Sequence, residues 1–213
     1  MSEFETLVKS RRSAMKFIPD IEITERELNE MFSLTKFAPS AFNLQHTHFA
    51  VVKDPALKQR MYEAANKQYK VLTSSAVILV LGNTKAYKDV GFLNEGNLNL
   101  GVMSKQEYDM TVESVLSFYE RRGEGFQKEE AVRSASLSAM LFMLIAKEKG
   151  WDTCPMIGFD PDAVRELLNV PEHYVPAMMI TIGKEDATNQ RPQGYRKVVG
   201  EFVSYDVFNN KLK

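Results

Sequence analysis

Three short stretches of this sequence combine residue types that can grip a phosphate or read a flat polar ring. Arg11-Arg12-Ser13 offers two guanidinium groups, which pair bidentately with phosphate oxygens, and a hydroxyl as a further donor. Taken alone, two basic residues at the end of a helix are better read as complementing the negative end of its dipole. Ala38-Pro39-Ser40-Ala41-Phe42-Asn43-Leu44-Gln45 is a polar loop in which Ser40, Asn43 and Gln45 can meet the donors and acceptors of a heteroaromatic ring. In isolation it too reads as an ordinary turn rich in turn formers. Pro155-Met156-Ile157-Gly158-Phe159-Asp160 is expected to be a rigid loop leading into a helix, whose N–H groups either face a ligand or simply begin that helix.

Other chemistries lack their residues. The chain has no Gly-x-Gly-x-x-Gly, no P-loop and no Gly-x-Ser-x-Gly, so an NAD-binding Rossmann domain is not expected. His46 and His48 could face the same way on a strand, but a metal site needs three or four ligands and no third is evident. His173 sits in a Pro-Glu-His-Tyr loop and reads as a surface residue. Cys154 has no His–Asp context and reads as a small buried hydrophobe. As the only cysteine it excludes an internal disulfide, and a reducing cytoplasm is the expected setting. A net charge of −1 argues against nucleic acid or an anionic membrane as partner. The longest apolar stretch, Ala139 to Ala146, falls far short of the roughly 20 residues of a membrane-spanning helix, and the N-terminus does not read as a secretory signal.

These stretches need a frame, and 213 residues with 44% hydrophobic and 26% charged content suit one globular domain, with an elaborated edge at most. Capping boxes at Ser2/Glu5, Thr24/Glu27 and Ser104/Glu107 each predict a helix start. The first helix ends near Arg11 and Arg12. The second buries Leu28, Met31, Phe32 and Thr35 and stops about Ala38, before Pro39. The third runs to Arg121, where Gly123 and Gly125 interrupt it. Asp54-Pro55 and Asp160-Pro161 predict two more helices, each with proline in its first turn. Strands are expected at Phe49–Val52, at Ala76–Leu81 (buried on both faces), at Val175–Gly183 and at Phe202–Tyr205. Ala86 to Gly101 shows no period and reads as irregular. The helix from Glu129 to Lys149, with Gly150 after it, has small residues in its first half and is apolar all round in its second. It should be central or at a dimer interface, with the small residues admitting another helix. The sum is an α+β arrangement around a small sheet.

The order of these segments says more than any one of them. Arg11-Arg12-Ser13, then Ala38-Pro39-Ser40 with Asn43 and Gln45, a helix, the Ala76–Leu81 strand, the Ser/Ala-rich helix, Pro155-Met156-x-Gly158 and Arg196-Lys197 resembles the nitroreductase family over about Arg11 to Tyr205. The resemblance implies a three-layer α/β/α fold with a small mixed central sheet and a single domain over 1–213, in which about 83–128 is an elaborated helical region near the substrate pocket. It implies an intertwined homodimer with FMN in each of two interface sites. Arg11, Ser13 and Arg196 would hold the FMN phosphate, with Arg12 and Lys197 alongside. Ser40 and Asn43, with Gln45 in the same motif, would reach the flavin from the partner subunit. Gln68 and Lys70 would meet the pyrimidine edge, and Pro155, Met156, Ile157 and Gly158 would lie against the ring near N5.

The implied reaction is hydride transfer from NAD(P)H through flavin N5 to small oxidised acceptors such as nitroaromatics or quinones, in a ping-pong cycle. The cofactor carries the chemistry and no catalytic side chain is required. The alternative is a non-catalytic FMN-binding or interaction protein that keeps the fold. Three departures from the family pattern stand out: His46-Thr47 where Pro-Trp is frequent, Met15 where a basic residue is common, and Ile157 where some members carry Glu.

Overall fold

The structure, a computed structural model, describes residues 2–190 and 192–208. Its helices are α1 (Glu3–Ser10), α2 (Glu25–Thr35), α3 (Pro55–Ala64), α4 (Lys70–Thr73), α5 (Val90–Asn99), α6 (Lys105–Glu148) and α7 (Pro161–Leu167). Its strands are β1 (Thr47–Val52), β2 (Ala76–Asn83), β3 (Asp152–Met156) and β4 (Tyr174–Gly183), in the order β1-β2-β4-β3.

Alternation along β2 organises the molecule. Ala76, Ile78 and Val80 join a core with Leu28 and Met31 of α2 and Ala135, Ala139, Phe142 and Ala146 of α6. Val77, Leu79 and Leu81 face the other way, into a core with Met61 of α3, Val164 of α7, and Ala14 and Phe17. Helices on both faces of one sheet give the expected three layers. All four strands pair antiparallel. The expected mixed sheet is therefore reduced to one isolated parallel bridge, Ser13 to Thr153, where the chain after α1 runs beside β3. No strand among the described residues lies along the outer edge of β1.

The helix starts follow the local signals. Ser2, Thr24 and Ser104 each accept from the backbone N–H three residues on, while the glutamate there reaches back to the cap. Asp54 and Asp160 cap α3 and α7. α6 is broken at Gly123 (φ 75°, ψ 179°), as its glycines predict.

Two expectations need correction. Ala86–Gly101 is not irregular: a 3-10 turn at Ala86–Asp89 leads into α5. Its Val90 and Leu93 pack with Val112 and Val115 of α6 in a third, smaller core, so tertiary contact makes a helix that the local sequence does not announce. Phe202–Tyr205 forms no strand, only a 3-10 turn at Val199–Glu201 and exposed chain, because no strand lies beside it. The small-residue face of α6 packs on the sheet and against α2, in the central place expected of it. Ala131 is so close that a Cβ on Gly82 would come 2.5 Å from its carbonyl oxygen. The face turned away from the sheet carries Leu137 and Met140, 47% and 41% exposed, with Leu141 and Leu144 half-buried.

Candidate active site

One half of the predicted site gathers at the β3 edge. After α1 the chain bridges at Ser13 to Thr153, and Ala14 N–H donates to the Thr153 carbonyl at 3.0 Å. The buried carboxylate of Glu185 fixes this segment: it accepts from Met15 N–H at 3.2 Å and pairs with Arg12 Nε at 3.3 Å. Arg12 is thus drawn toward Glu185. Arg11 is half-buried and Ser13 exposed, and no side-chain partner among the described residues engages either.

Lys70, at the start of α4, donates to Cys154 Sγ in the neighbouring strand at 3.3 Å. The loop after β3 is fastened to the turn after α3. Gly158 O accepts from both Gln68 Nε2 (2.9 Å) and Asn66 Nδ2 (3.1 Å), and Asp160 N–H donates to Ala64 O (2.8 Å). The expected loop at Pro155–Asp160 begins later than predicted. Pro155 and Met156 end β3, and the Met156 side chain is buried in the core, so only its backbone can face a ligand. Proline suits this position because an edge strand leaves some N–H positions outside the ladder. Ile157 is 84% exposed, and no group among the described residues accepts from the N–H of Ile157 or Gly158.

The other half lies at the opposite edge of the sheet. Ser40 Oγ accepts from Gln45 N–H at 2.9 Å, which closes the loop before β1. Phe42, Asn43 and Gln45 all adopt positive φ, 51–54°. Non-glycine residues held this way cost on the order of 1–3 kcal/mol each, and such strain collects where backbone placement matters. The loop borders a cavity of about 350 Å³ lined by Thr35, Lys36, Ser40, Gln45, His48 and Ser138, among others. From β1 to β3 is three strand spacings, about 14 Å. Within one chain the two halves do not meet.

Arg196 and Lys197 are exposed, and Arg196 Nη1 donates to the nearby carbonyls of Gly194 (3.0 Å) and Tyr195 (3.1 Å). No described contact joins them to Arg11. Arg191, also noted in the sequence, lies outside the described residues.

Sequence reasoning missed Asn66 and Glu185, which act only through residues distant in the chain and carry no local signal. It also missed a buried polar group beneath the Ser40 loop. His46 is 1% exposed; its Nε2 lies 3.5 Å from the Tyr119 hydroxyl and its Nδ1 has no partner. Burial holds His46 below the ordinary imidazole value, opposed by the nearby Glu130, and burial pushes Tyr119 up to about 12. His48 is exposed, so the two histidines do not converge, and the described residues hold no group of three metal-binding side chains.

Comparison with known proteins decides which chemistry this geometry belongs to. The model of the nitroreductase family matches residues 8–184. The chain belongs to the nitroreductase family. The Bacillus subtilis (strain 168) protein "Putative NAD(P)H nitroreductase MhqN" is 57% identical over 205 residues, covering 96% of this chain and all of that protein. The "CLA biosynthesis enone reductase" of Lactiplantibacillus plantarum is 33% identical, covering 82% of each chain. The structure of "a putative nitroreductase in complex with FMN" from Exiguobacterium sibiricum 255-15 superposes with a TM-score of 0.88 at 27% identity, covering 96% of this chain and 98% of that one. As a nitroreductase-family oxidoreductase, this chain has the α+β fold expected of it. No described helix is long and apolar enough to cross a membrane.

Proposed function

We propose that this nitroreductase-family chain is an FMN-dependent NAD(P)H oxidoreductase working as a homodimer, each cofactor site drawing on both subunits. The observation that carries the reading is the β3 edge. There, Arg11 and Ser13, the Lys70 ammonium, and the N–H groups of Ile157 and Gly158 stand along one strand end, all but Lys70 without a side-chain or acceptor partner among the described residues. This donor set fits a phosphate at one end and the polar edge of a heteroaromatic ring at the other. A structure of similar fold holds FMN, which agrees with that fit.

When bound, FMN supplies the relay of hydride from NAD(P)H to a small oxidised acceptor, nitroaromatics and quinones being the proposed classes, in two half-reactions. The chain supplies position and charge. Arg11 and Ser13 hold the phosphate, joined by Arg196 and Lys197, while Arg12, tied to Glu185, keeps the segment in place. Lys70 faces the pyrimidine edge; the thiol it now meets is a weak acceptor and gives it up readily. Ser40, Asn43 and Gln45 of the partner subunit close the site from the other side, since their own β3 edge lies across the sheet.

The test is direct. The purified protein should be yellow and release FMN, not FAD, on denaturation, as read by mass spectrometry. It should oxidise NADH or NADPH with parallel initial-rate lines across a panel of nitroaromatic and quinone acceptors. FAD or no flavin would refute the cofactor assignment; FMN without nicotinamide oxidation would leave a binding protein of this fold.

A further inference from the structure

We propose that Asn66 and Gln68 form a positioning clamp on the Gly158 carbonyl that aims the Ile157 and Gly158 N–H groups and thereby sets the reduction potential of the flavin. This inference rests on the FMN reading above. Two side-chain amides, 2.9 and 3.1 Å away, occupy both lone pairs of one carbonyl oxygen. A single amide would leave the glycine free to swing about the one bond; two from separate residues fix the direction of that peptide. The flanking peptides are held as well, by Phe159 N–H to Ile157 O (3.1 Å) and Asp160 N–H to Ala64 O (2.8 Å). Among the described residues, nothing accepts from the N–H groups of Ile157 and Gly158.

The cost of the clamp is visible on its other side. Asn66 and Lys67 both take φ 54°, a left-handed pair that asparagine tolerates and lysine does not favour. That turn brings the amides of residues 66 and 68 to the same carbonyl. Gly158 is part of the device, because a Cβ there would sit 3.2 Å from Gln68 Nε2 and 3.9 Å from Asn66 Nδ2. The chemical consequence follows from what the N–H groups meet. Oxidised N5 offers a lone pair, and on two-electron reduction it gains a hydrogen and accepts more weakly. A fixed N–H donor therefore favours the oxidised form and holds the potential down.

Asn66→Gly is the decisive variant, since glycine keeps the left-handed turn while removing the amide. Lys67→Gly is its control: it relaxes the same turn and leaves the clamp intact. The midpoint potential of the FMN-loaded dimer is measured by spectroelectrochemistry, alongside the FMN content of each variant. Asn66→Gly, and Gly158→Ala by displacing the Gln68 amide, should each shift the flavin equilibrium about tenfold toward the reduced form, ~30 mV less negative for a two-electron couple. Lys67→Gly should not move it. Unchanged or more negative potentials in Asn66→Gly and Gly158→Ala, in protein that retains FMN, would overturn the clamp and leave the FMN reading standing. Wild-type protein without FMN would overturn both.

Discussion

His46 is buried, and its Nδ1 has no partner among the described residues. Because burial depresses its folded pKa, the unfolded chain takes up the proton first as pH falls. This contribution to stability is complete above the ordinary value of 6.5 and is lost as pH drops through it toward the folded pKa. Two ionisable groups face the ring from α6: Tyr119, neutral throughout this range, and Glu130, whose charge opposes the shift. His46→Phe should therefore reduce the loss of melting temperature between about pH 7.5 and about pH 5.5. An unchanged acid slope would show that His46 is not its source. At the cofactor, Arg11→Ala or Arg196→Ala should weaken FMN binding by about 1.5–3 kcal/mol, the range for a charge-assisted hydrogen bond. Arg121, whose Nε donates to Ser117 O on the solvent side of α6, should tolerate alanine with little change in the FMN titration.

Elements begun by local chemistry were legible in advance, and those made by contact were not. Serine, threonine and aspartate caps placed α1, α2, α3, α6 and α7, because a cap is satisfied within its own turn. α5 was hidden: Val90–Asn99 holds two glycines and three asparagines, and only its packing on α6 makes it helical. Such a helix should open easily. Amide exchange across 90–99 should run well ahead of β2, measured by mass spectrometry; equal protection would show that α5 has stability of its own. The candidate site was legible as residue types, since Arg, Ser, Asn and Lys keep their chemistry in any fold. Its division between two sheet edges was not readable from spacing, nor was the role of Asn66, which only the approach of Gly158 reveals. The small-residue face of α6 shows why. Its small residues say that something packs closely, without saying that it is both a sheet and α2.

At the scale of the whole molecule, several surfaces lack cover. α1 has no buried residue, Leu137 and Met140 project from α6, the outer edge of β1 has no neighbour among the described residues, and Phe202, Tyr205 and Phe208 of the tail are largely exposed. An open strand edge and a tail with strand-like sequence suit one another across a dimer axis, and obligate interfaces of this kind commonly exceed ~2,000 Å². Leu137→Glu or Met140→Glu should give a folded monomer depleted of FMN, by light scattering and flavin absorbance. Ala135→Glu, which places charge in the core beneath β2, should instead unfold the chain. A monomer with full FMN would disprove the shared site. The separation of Arg11 from Ser40 by the width of the sheet also has a genetic signature. Two inactive alleles, one damaged at Arg11 and one at Asn43, should complement each other when co-expressed. Each mixed dimer then carries both lesions in one site and none in the other, so activity returns without any recombination of the genes.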